Sequence, residues 1–310
     1  MILAPIERIT EREVLALEHQ YGSLTAPVII SGAAADWPAM RTLQLGEIRT
    51  ALGAVKVPVR DTDDEFQFFF DPKVQEFERR RMLTLAEYVD AIENVDRRSG
   101  RPPYLGNIAF LTDPAVSKKL GSLTEYCRFP HFDLERCTLE YRLWIGGRGQ
   151  RSTIHNDCYH NFNAQIVGRK RFIAFAPDQH SALHPIFFHR GMWVSPVDPN
   201  NPDFVRYPQF RDARGVQGEL GPGDILYLPR FWWHCAEAIT TSVNINQWVY
   251  SRGAVQWWHE QPEARPFISF KEILEQQRRK FYALSKELQP LYKDDLLKLT
   301  SELMRLDEQR

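Results

Sequence analysis

The chain has 310 residues, of which 43% are hydrophobic and 25% are charged, and its formal net charge is −1. This composition is ordinary for a globular protein with a substantial core, and the length allows one large domain or two modest ones. A nearly neutral charge balance gives no reason to expect a nucleic acid or a membrane surface as a partner.

The start of the chain lacks the basic and apolar regions of a signal peptide, and no run approaches the roughly 20 apolar residues that cross a bilayer. The cysteines share no CxxC spacing, so we expect free thiols and a reducing, cytoplasmic location rather than a disulfide frame. They are Cys127, Cys137, Cys158 and Cys235.

Residues 1–125 carry the signals of helices mixed with short strands, and we expect these α/β elements to complete the fold. The capping-box patterns Thr10–Glu13 and Thr84–Glu87 each predict the start of a helix. An apolar run, Pro27–Ile30, predicts a short buried strand. A second strand, half-buried, is predicted by the alternating valines Val55, Val57 and Val59.

Residues 126–255 are expected to form the catalytic core, because short apolar or alternating runs separated by glycine and proline turns begin near Leu139. This texture is typical of an all-β barrel or sandwich. The stretch Pro177–Gln217 is rich in proline and predicts a long irregular loop, such as a lid or binding loop. The predicted strands are Leu139–Ile145, Phe162–Val167, Arg171–Phe175, Asp224–Leu228 and Ser242–Tyr250.

Residues 256–310 predict two amphipathic helices. The first has an apolar stripe that includes Phe270 and Leu288, and the second, after Pro290, repeats leucines up to Leu306. Two such helices need a partner surface, and two interpretations stay open. They either pack back on their own domain or form a homodimer interface.

The most informative motif is His155-Asn156-Asp157, together with a lone His234 far along the chain. In an extended strand, residues two apart point to one face, so His155 and Asp157 would aim at one point with Asn156 turned away. His234 follows the turn and strand Gly221–Pro229 and could return to meet them. Two imidazoles and one carboxylate suit a non-haem Fe(II) oxygenase. Zinc accepts the same ligands and is a rival occupant.

The next predicted strand begins with the cationic run Arg169-Lys170-Arg171. An Fe(II) oxygenase needs an electron-donating cosubstrate, and if this is 2-oxoglutarate, its distal carboxylate needs a cation. Strand alternation places Lys170 on one face and both arginines on the other. An inward lysine removed from water requires an anionic partner. Alternatively, all three side chains are solvated at the end of a hairpin.

Polar side chains that could add hydrogen bonds surround these candidates. Ser152 and Asn161 flank the His155-Asn156-Asp157 motif, and the strand from residue 242 has one polar face. The residues of that face are Ser242, Asn244, Asn246 and Trp248. Such a face on an otherwise apolar strand indicates a lined cavity, although it could equally be the wet side of an antiparallel sheet.

Taken together, these segments resemble the cupin-like JmjC 2-oxoglutarate oxygenases, and within that family the asparaginyl hydroxylase that acts on hypoxia-inducible factor. The resemblance covers roughly residues 27–250, and its motifs agree in order and spacing. It is carried by Pro27–Gly32, Asp36–Pro38, Ser152–Asp157, Asn161–Phe172, Phe175–Gln179, Asn201–Phe210 and Gly221–His234.

The resemblance implies a mainly β protein with a double-stranded β-helix, the cupin or jelly-roll core, flanked by N-terminal α/β elements and a C-terminal helical pair. It implies that His155, Asp157 and His234 bind Fe(II). Lys170 and Tyr104 would bind the distal carboxylate of 2-oxoglutarate, and O2 would be the second cosubstrate.

Three further residues gain roles from the same resemblance. Ser152 stands where the hydroxylase has a threonine and keeps the hydroxyl. Asn161 and Asn246 would contact the keto acid or waters near it, with Asn244 as a competing candidate for the latter position. The C-terminal helices resemble the family's dimerisation element in placement, though not in sequence, so a homodimer interface stays one of the two interpretations of these helices.

The implied activity is that of a dioxygenase that hydroxylates a C–H bond, on a protein or peptide side chain, with release of succinate and CO2. The alternatives are hydroxylation of a small molecule or free amino acid, demethylation by the same chemistry, and a catalytically silent metal-binding cupin. Trp193, Trp232 and Trp233 would shape the mouth of the site together with the loop Pro177–Gln217. Plain core packing is the alternative role for each tryptophan.

Overall fold

A computed structural model describes residues 1–13, 24–60, 80–94, 104–105, 108–109, 127, 140–157, 160–188 and 192–249 of the protein. Within these ranges most of the regular structure is β-strand, arranged in two seven-stranded sheets and one three-stranded sheet. No helix in the described ranges has both the length and the apolarity needed to cross a bilayer.

Three short α-helices and two 3-10 segments lie wholly within the described residues and accompany the strands. The helices are α1 (Ala39–Thr42), α2 (Leu45–Leu52) and α3 (Leu85–Glu93), and the 3-10 segments are Pro177–Leu183 and Pro208–Asp212. The strands are β1 (Ile2–Pro5), β2 (Glu7–Thr10), β3 (Val28–Ser31), β4 (Lys56–Arg60), β5 (Arg80–Thr84), β6 (Tyr104–Leu105), β7 (Ile108–Ala109), β8 (Glu140–Gly146), β9 (His155–Asn156), β10 (His160–Val167), β11 (Lys170–Phe175), β12 (Ile186–Phe188), β13 (Met192–Val194), β14 (Arg214–Leu220), β15 (Ile225–Leu228), β16 (Trp233–Ala238) and β17 (Ser242–Val249).

The first sheet has the strand order β1-β14-β11-β16-β9-β13-β12, and the second has the order β2-β3-β15-β10-β17-β8-β7. One apolar cluster contains residues from the inner faces of both sheets: Ile29, Phe172, Ala174, Leu220, Leu226 and Leu228 among them. Two mainly antiparallel sheets that enclose their own core and cavity form a jelly roll. The predicted cupin-like fold class is therefore confirmed.

The N-terminal elements cover the outer face of the second sheet. Helix α3 packs there, and the Tyr88 hydroxyl donates a 2.7 Å hydrogen bond to the Ile145 carbonyl in β8. The shared core includes Leu52, Leu85, Phe162, Ala164, Ile166, Val243 and Ile245. Strands β1 and β2 join the two large sheets themselves. The boundaries at residues 125 and 255 stay a prediction.

Strand β10 separates two environments, the apolar core on the outer face of the second sheet and the cavity between the two large sheets. Phe162 and Ala164 point into the outer core, whereas Asn161 and Asn163 point into the space between the sheets. Side chains that alternate along a strand face opposite sides. The alternation of apolar and amide residues therefore aims a row of amides at the interior cavity.

Both capping boxes are present. The Thr84 amide donates to a Glu87 carboxylate oxygen at 2.7 Å, and the Glu87 amide donates back to the Thr84 hydroxyl at 3.3 Å. Thr10 and Glu13 form the same pair at 2.6 and 3.3 Å, and residues 11–13 are helical. The rest of that first helix and the predicted C-terminal helices lie outside the described residues.

The five strands predicted for the core are confirmed, with ends that differ by at most two residues. The prediction of one irregular loop over Pro177–Gln217 is wrong. This stretch contains both 3-10 segments, strands β12 and β13, and the first part of β14. Strand β14 pairs in parallel with β1, which lies more than 200 residues earlier in the chain. A distant partner supplies its hydrogen bonds, so the strand needs no clear apolar alternation.

Candidate metal centre

The three predicted metal ligands lie together on the first sheet. His155 is in β9, His234 is in β16, and the two residues are directly opposite each other in this antiparallel pair. Their ring centroids are 4.4 Å apart. Asp157 follows β9, and one of its carboxylate oxygens lies 3.9 Å from His234 Nε2. One ligand atom from each of the three residues lies within 4.8 Å of the others.

Both imidazoles are oriented by the main chain. His155 Nδ1 lies 2.8 Å from the Thr153 carbonyl, and His234 Nδ1 lies 2.9 Å from the Trp232 carbonyl. A carbonyl can only accept a hydrogen bond, so Nδ1 carries the proton in each ring. In the neutral ring this tautomer leaves the lone pair on Nε2, which is the form that binds a metal.

The electrostatic surroundings keep His234 neutral. Burial, and to a smaller extent the neighbouring His155, lowers its pKa to about 4 against the opposing effects of Asp157 and the Trp232 carbonyl. At neutral pH the His234 imidazole is therefore unprotonated. Two histidines beside one carboxylate are a donor set suited to a divalent transition metal.

The residue between the first two ligands points away from them, as strand alternation requires. Asn156 is buried, and its side-chain oxygen accepts a 3.2 Å hydrogen bond from the Trp193 amide. On the other side of the site, Phe231 has a left-handed backbone with φ of 64°, which is uncommon for a bulky residue. Its amide donates a 2.7 Å bond to the Asp157 carbonyl. This turn ties the chain leading to His234 to the main chain of Asp157.

A cavity of about 690 Å³, measured to its open mouth, lies between the two sheets. All three candidate ligands line it. So do the other described candidates, Ser152, Asn161, Lys170 and Asn246. The sequence-predicted residues are thus brought to one space from five separate segments of the chain.

Lys170 points into this cavity, and its ammonium donates a hydrogen bond to the Asn244 side-chain oxygen. Desolvation lowers its pKa to about 8. No carboxylate within the described ranges pairs with it. The flanking arginines differ, because Arg169 pairs with Glu219 at 2.9 Å and Arg171 pairs with Glu237 outside the cavity. A cation inside a protein without a counterion needs an anionic ligand.

The remaining polar candidates already bond to one another or to the main chain. The Ser152 hydroxyl accepts from the Ala236 amide at 2.9 Å. Asn246 donates to the Asn161 side-chain oxygen at 2.9 Å and accepts from Trp144 Nε1 at 2.7 Å. These bonds fix the wall of the cavity before any ligand enters.

Asn244 and Tyr104 were candidates for cosubstrate binding, and the structure describes the side chain of the first but not of the second. Asn244, the competitor of Asn246, is the residue that receives the Lys170 ammonium. Tyr104 lies in β6, with its main chain opposite Arg60 of β4. Its side chain lies outside the described part of the structure, so its contact with a carboxylate stays a prediction.

The expectation that three tryptophans line the mouth is wrong. Trp233 is fully buried in an apolar cluster on the far side of the first sheet. The ring of Trp193 packs against that of His180, with 5.1 Å between the ring centroids. Trp232 Nε1 donates a hydrogen bond to the Thr25 carbonyl. Because His234 faces the cavity, its chain neighbour Trp233 must face outward. The tryptophans of the cavity are Trp144 and Trp248.

Cys235 also faces away from the metal ligands, as expected. It is a buried free thiol, and burial raises its pKa to about 12. A thiol of this kind is inert and serves packing. Asn163, in contrast, lines the cavity and was missed. Its position two residues after Asn161 on the same strand face was a signal that could have found it.

The jelly-roll fold and a His-Asp-His cluster inside it define a metal-binding cupin. A family model described as "Cupin-like domain" matches residues 14–263. The chain belongs to this cupin-like family. It resembles the JmjC class of 2-oxoglutarate-dependent oxygenases, whose cofactors are Fe(II), 2-oxoglutarate and O2.

Three individual proteins show the extent of this similarity. The chain is 27% identical to "Lysine-specific demethylase 8" of Danio rerio over 72% of this chain and 52% of that protein. It is 40% identical to "HSPB1-associated protein 1" of Bos taurus over 36% of this chain and 24% of that protein. "JmjC domain-containing protein D" of Dictyostelium discoideum is 25% identical over 77% and 55%, respectively.

The chain spans about half the length of the curated relatives it matches over most of its own length. The particular resemblance to an asparaginyl hydroxylase stays a prediction. The donor set fits the iron of the family, since two pre-oriented imidazoles and one carboxylate form the ligand type of non-haem Fe(II) oxygenases. The uncompensated Lys170 fits a dicarboxylate beside it.

Proposed function

We propose that the protein is an Fe(II)- and 2-oxoglutarate-dependent dioxygenase that hydroxylates a C–H bond on a protein or peptide side chain. One observation carries this proposal. The same cavity contains three candidate metal ligands, two of them imidazoles oriented by main-chain carbonyls, and one ammonium without a carboxylate partner among the described residues. A metal and an anionic cosubstrate would together complete both features.

In this mechanism His155, Asp157 and His234 would hold the metal. Bound Fe(II), with 2-oxoglutarate and O2, would supply the oxidising power that converts C–H to C–OH and releases succinate and CO2. Lys170 would neutralise the distal carboxylate. The bonded amides Asn161 and Asn246 would keep the cavity wall rigid, so that the reactants are held close and water is limited.

The proposal is tested by incubating the protein with Fe(II), ascorbate and 2-oxoglutarate, and adding peptide and metabolite pools. We expect succinate to form and one component to gain the mass of one oxygen, only when 2-oxoglutarate and O2 are present. His155→Ala is the matched inactive control. A complete absence of 2-oxoglutarate turnover in every pool would favour a silent cupin, and metal-dependent activity without O2 would favour a zinc hydrolase.

Substrate class is part of the same experiment. A protein or peptide substrate is favoured by the similarity to proteins named as lysine-specific demethylases. A stable gain of oxygen in the metabolite pool alone would instead identify a hydroxylase of a small molecule or free amino acid.

Demethylation is the second candidate function, because two matched relatives carry that name. Hydroxylation of an N-methyl group releases formaldehyde and leaves the product lighter by one methylene. Methylated and unmethylated versions of one lysine peptide separate the two outcomes. Formaldehyde from the methylated peptide indicates demethylation, and a stable gain of one oxygen on the unmethylated peptide indicates side-chain hydroxylation.

We also propose a cytoplasmic protein that forms a homodimer through the helices predicted in residues 256–310. The support is the regular apolar stripe of this segment, to which Leu299 and Leu303 belong. Light scattering of the full chain should give twice the monomer mass. The Leu299→Glu variant should give the mass of a single chain. A wild-type monomer would contradict the proposal.

A further inference from the structure

One buried side chain in the cavity lacks the bonds that its neighbours have. Asn163 lies in β10, directly opposite Asn246 of β17, and only 6% of its surface is exposed. It lines the cavity. Its side-chain nitrogen, Nδ2, has no hydrogen-bond partner among the described residues.

The donor nitrogens of two neighbouring amides, Asn246 and Gln165, are paired, although the Gln165 side-chain oxygen also lacks a partner among the described residues. Asn246 and Asn161 bond to each other, and Asn244 receives the Lys170 ammonium. Gln165, the next residue on the same face of β10, donates from its nitrogen to the Val167 carbonyl at 2.6 Å. Buried polar groups are nearly always paired, and an unpaired one in a cavity indicates a missing ligand.

The register of the sheet identifies which end of the cavity this donor faces. Asn163 is opposite Asn246, and Asn244 is the next residue on the same face of β17. Asn244 holds the Lys170 ammonium. The free N–H donor is therefore the diagonal cross-strand neighbour of the residue that holds the Lys170 ammonium. Both groups require an acceptor, and a carboxylate offers two oxygens with about four acceptor positions.

We propose that Asn163 donates a hydrogen bond to the distal carboxylate of the cosubstrate that Lys170 binds, and so helps select dicarboxylate 2-oxo acids over monocarboxylate ones. This inference rests on the proposed use of 2-oxoglutarate. It adds a specificity-determining residue to the site, because a donor at this position contributes only when the ligand carries an acceptor at its far end.

Binding of two matched ligands tests the inference without turnover. Calorimetry on the Mn(II)-loaded full chain would compare 2-oxoglutarate with 2-oxopentanoate, which has a methyl group in place of the distal carboxylate. We expect Asn163→Leu to weaken 2-oxoglutarate binding about tenfold and 2-oxopentanoate binding less than about twofold, since a lost bond to a charged acceptor has roughly this effect. Asn163→Asp keeps the shape and should produce a larger loss of the same selectivity.

Gln165→Leu is the matched control, because it removes a buried amide from the same strand at a position that does not line the described cavity. Both ligands should bind to it as they bind to the wild type. Unchanged binding in both Asn163 variants, or equal weakening of the two ligands, would overturn the inference. If the wild type binds neither ligand, the proposed function fails first and this inference fails with it.

Discussion

The two ends of the cavity are built in different ways. At one end, called here the metal end because the candidate ligands lie there, the Thr153 and Trp232 carbonyls orient both imidazoles before a metal arrives. At the other end, called the distal end, the Lys170 ammonium donates to the neutral Asn244 amide and has no carboxylate partner among the described residues. The metal end is therefore set by main-chain geometry, whereas the charge balance of the distal end depends on the ligand. Changes at the first end should affect catalysis outright, and changes at the second should affect cosubstrate affinity.

The largest effect is expected from removing a metal ligand. His155→Ala or Asp157→Ala should abolish succinate formation, because two ligands hold the metal too weakly and leave its geometry undefined. The fold should remain, since neither side chain belongs to an apolar cluster of the described core. Succinate assay and circular dichroism measure the two properties. Full activity in either variant would show that the metal end lies elsewhere.

The next effect concerns the distal end. Lys170→Ala should raise the dissociation constant of 2-oxoglutarate by about 30- to 100-fold, because a hydrogen bond to a charged group is worth about 2–3 kcal/mol. Calorimetry with Mn(II) measures it. Arg169→Ala is the control, since this exposed arginine pairs with Glu219 on the surface and should have little influence. An unchanged constant in Lys170→Ala would mean that the lysine does not bind the cosubstrate.

The affinity for 2-oxoglutarate should also depend on pH through the protonation of Lys170. Because the pKa of Lys170 in the empty cavity is about 8, the free protein loses this charge above pH 8. An anionic ligand favours the protonated form and raises the pKa, so binding takes up a proton there. The affinity for 2-oxoglutarate should fall by up to about tenfold per pH unit above pH 8. Lys170→Arg should flatten the profile, because arginine stays charged. A decline shared by both proteins would argue against Lys170.

The smallest effect is expected at Ser152. Its hydroxyl accepts from the Ala236 amide in β16, so Ser152→Ala should lower the free energy of unfolding by about 1 kcal/mol through the lost bond. Ser152→Thr keeps the hydroxyl and should retain most of the stability. Chemical denaturation of the metal-free protein measures both variants. Equal stability of the alanine variant would mean that this bond contributes nothing to the β16 attachment.

Much of this arrangement is predictable from the sequence because strand alternation is a local rule. It predicts that His155 and Asp157 share a face, that Lys170 and Arg171 point in opposite directions, and that Asn244 and Asn246 face one space. The same rule, applied to His234, excludes Trp233 from the cavity, although the expectation about the mouth did not use it.

What the sequence could not supply is long-range pairing. The polar strand β14 exists because β1 and β11 pair with it on either side. The residues of β14 themselves do not indicate either partner. Likewise, the bond from Lys170 to Asn244 joins two different sheets. That the Asn163 side-chain nitrogen has no partner among the described residues is visible only once the surrounding amides are in place.

His155 and His234 lie directly opposite each other in neighbouring strands, so the candidate metal site depends on the register between β9 and β16. If one residue were inserted before β16 and the strand slid by one position, Trp233 would replace His234 at the cavity. An indole does not bind a divalent metal, so the sheet could persist while the metal site was lost. Small length changes in the turn before β16 thus offer a simple evolutionary path from an active oxygenase to a non-catalytic descendant with the same architecture.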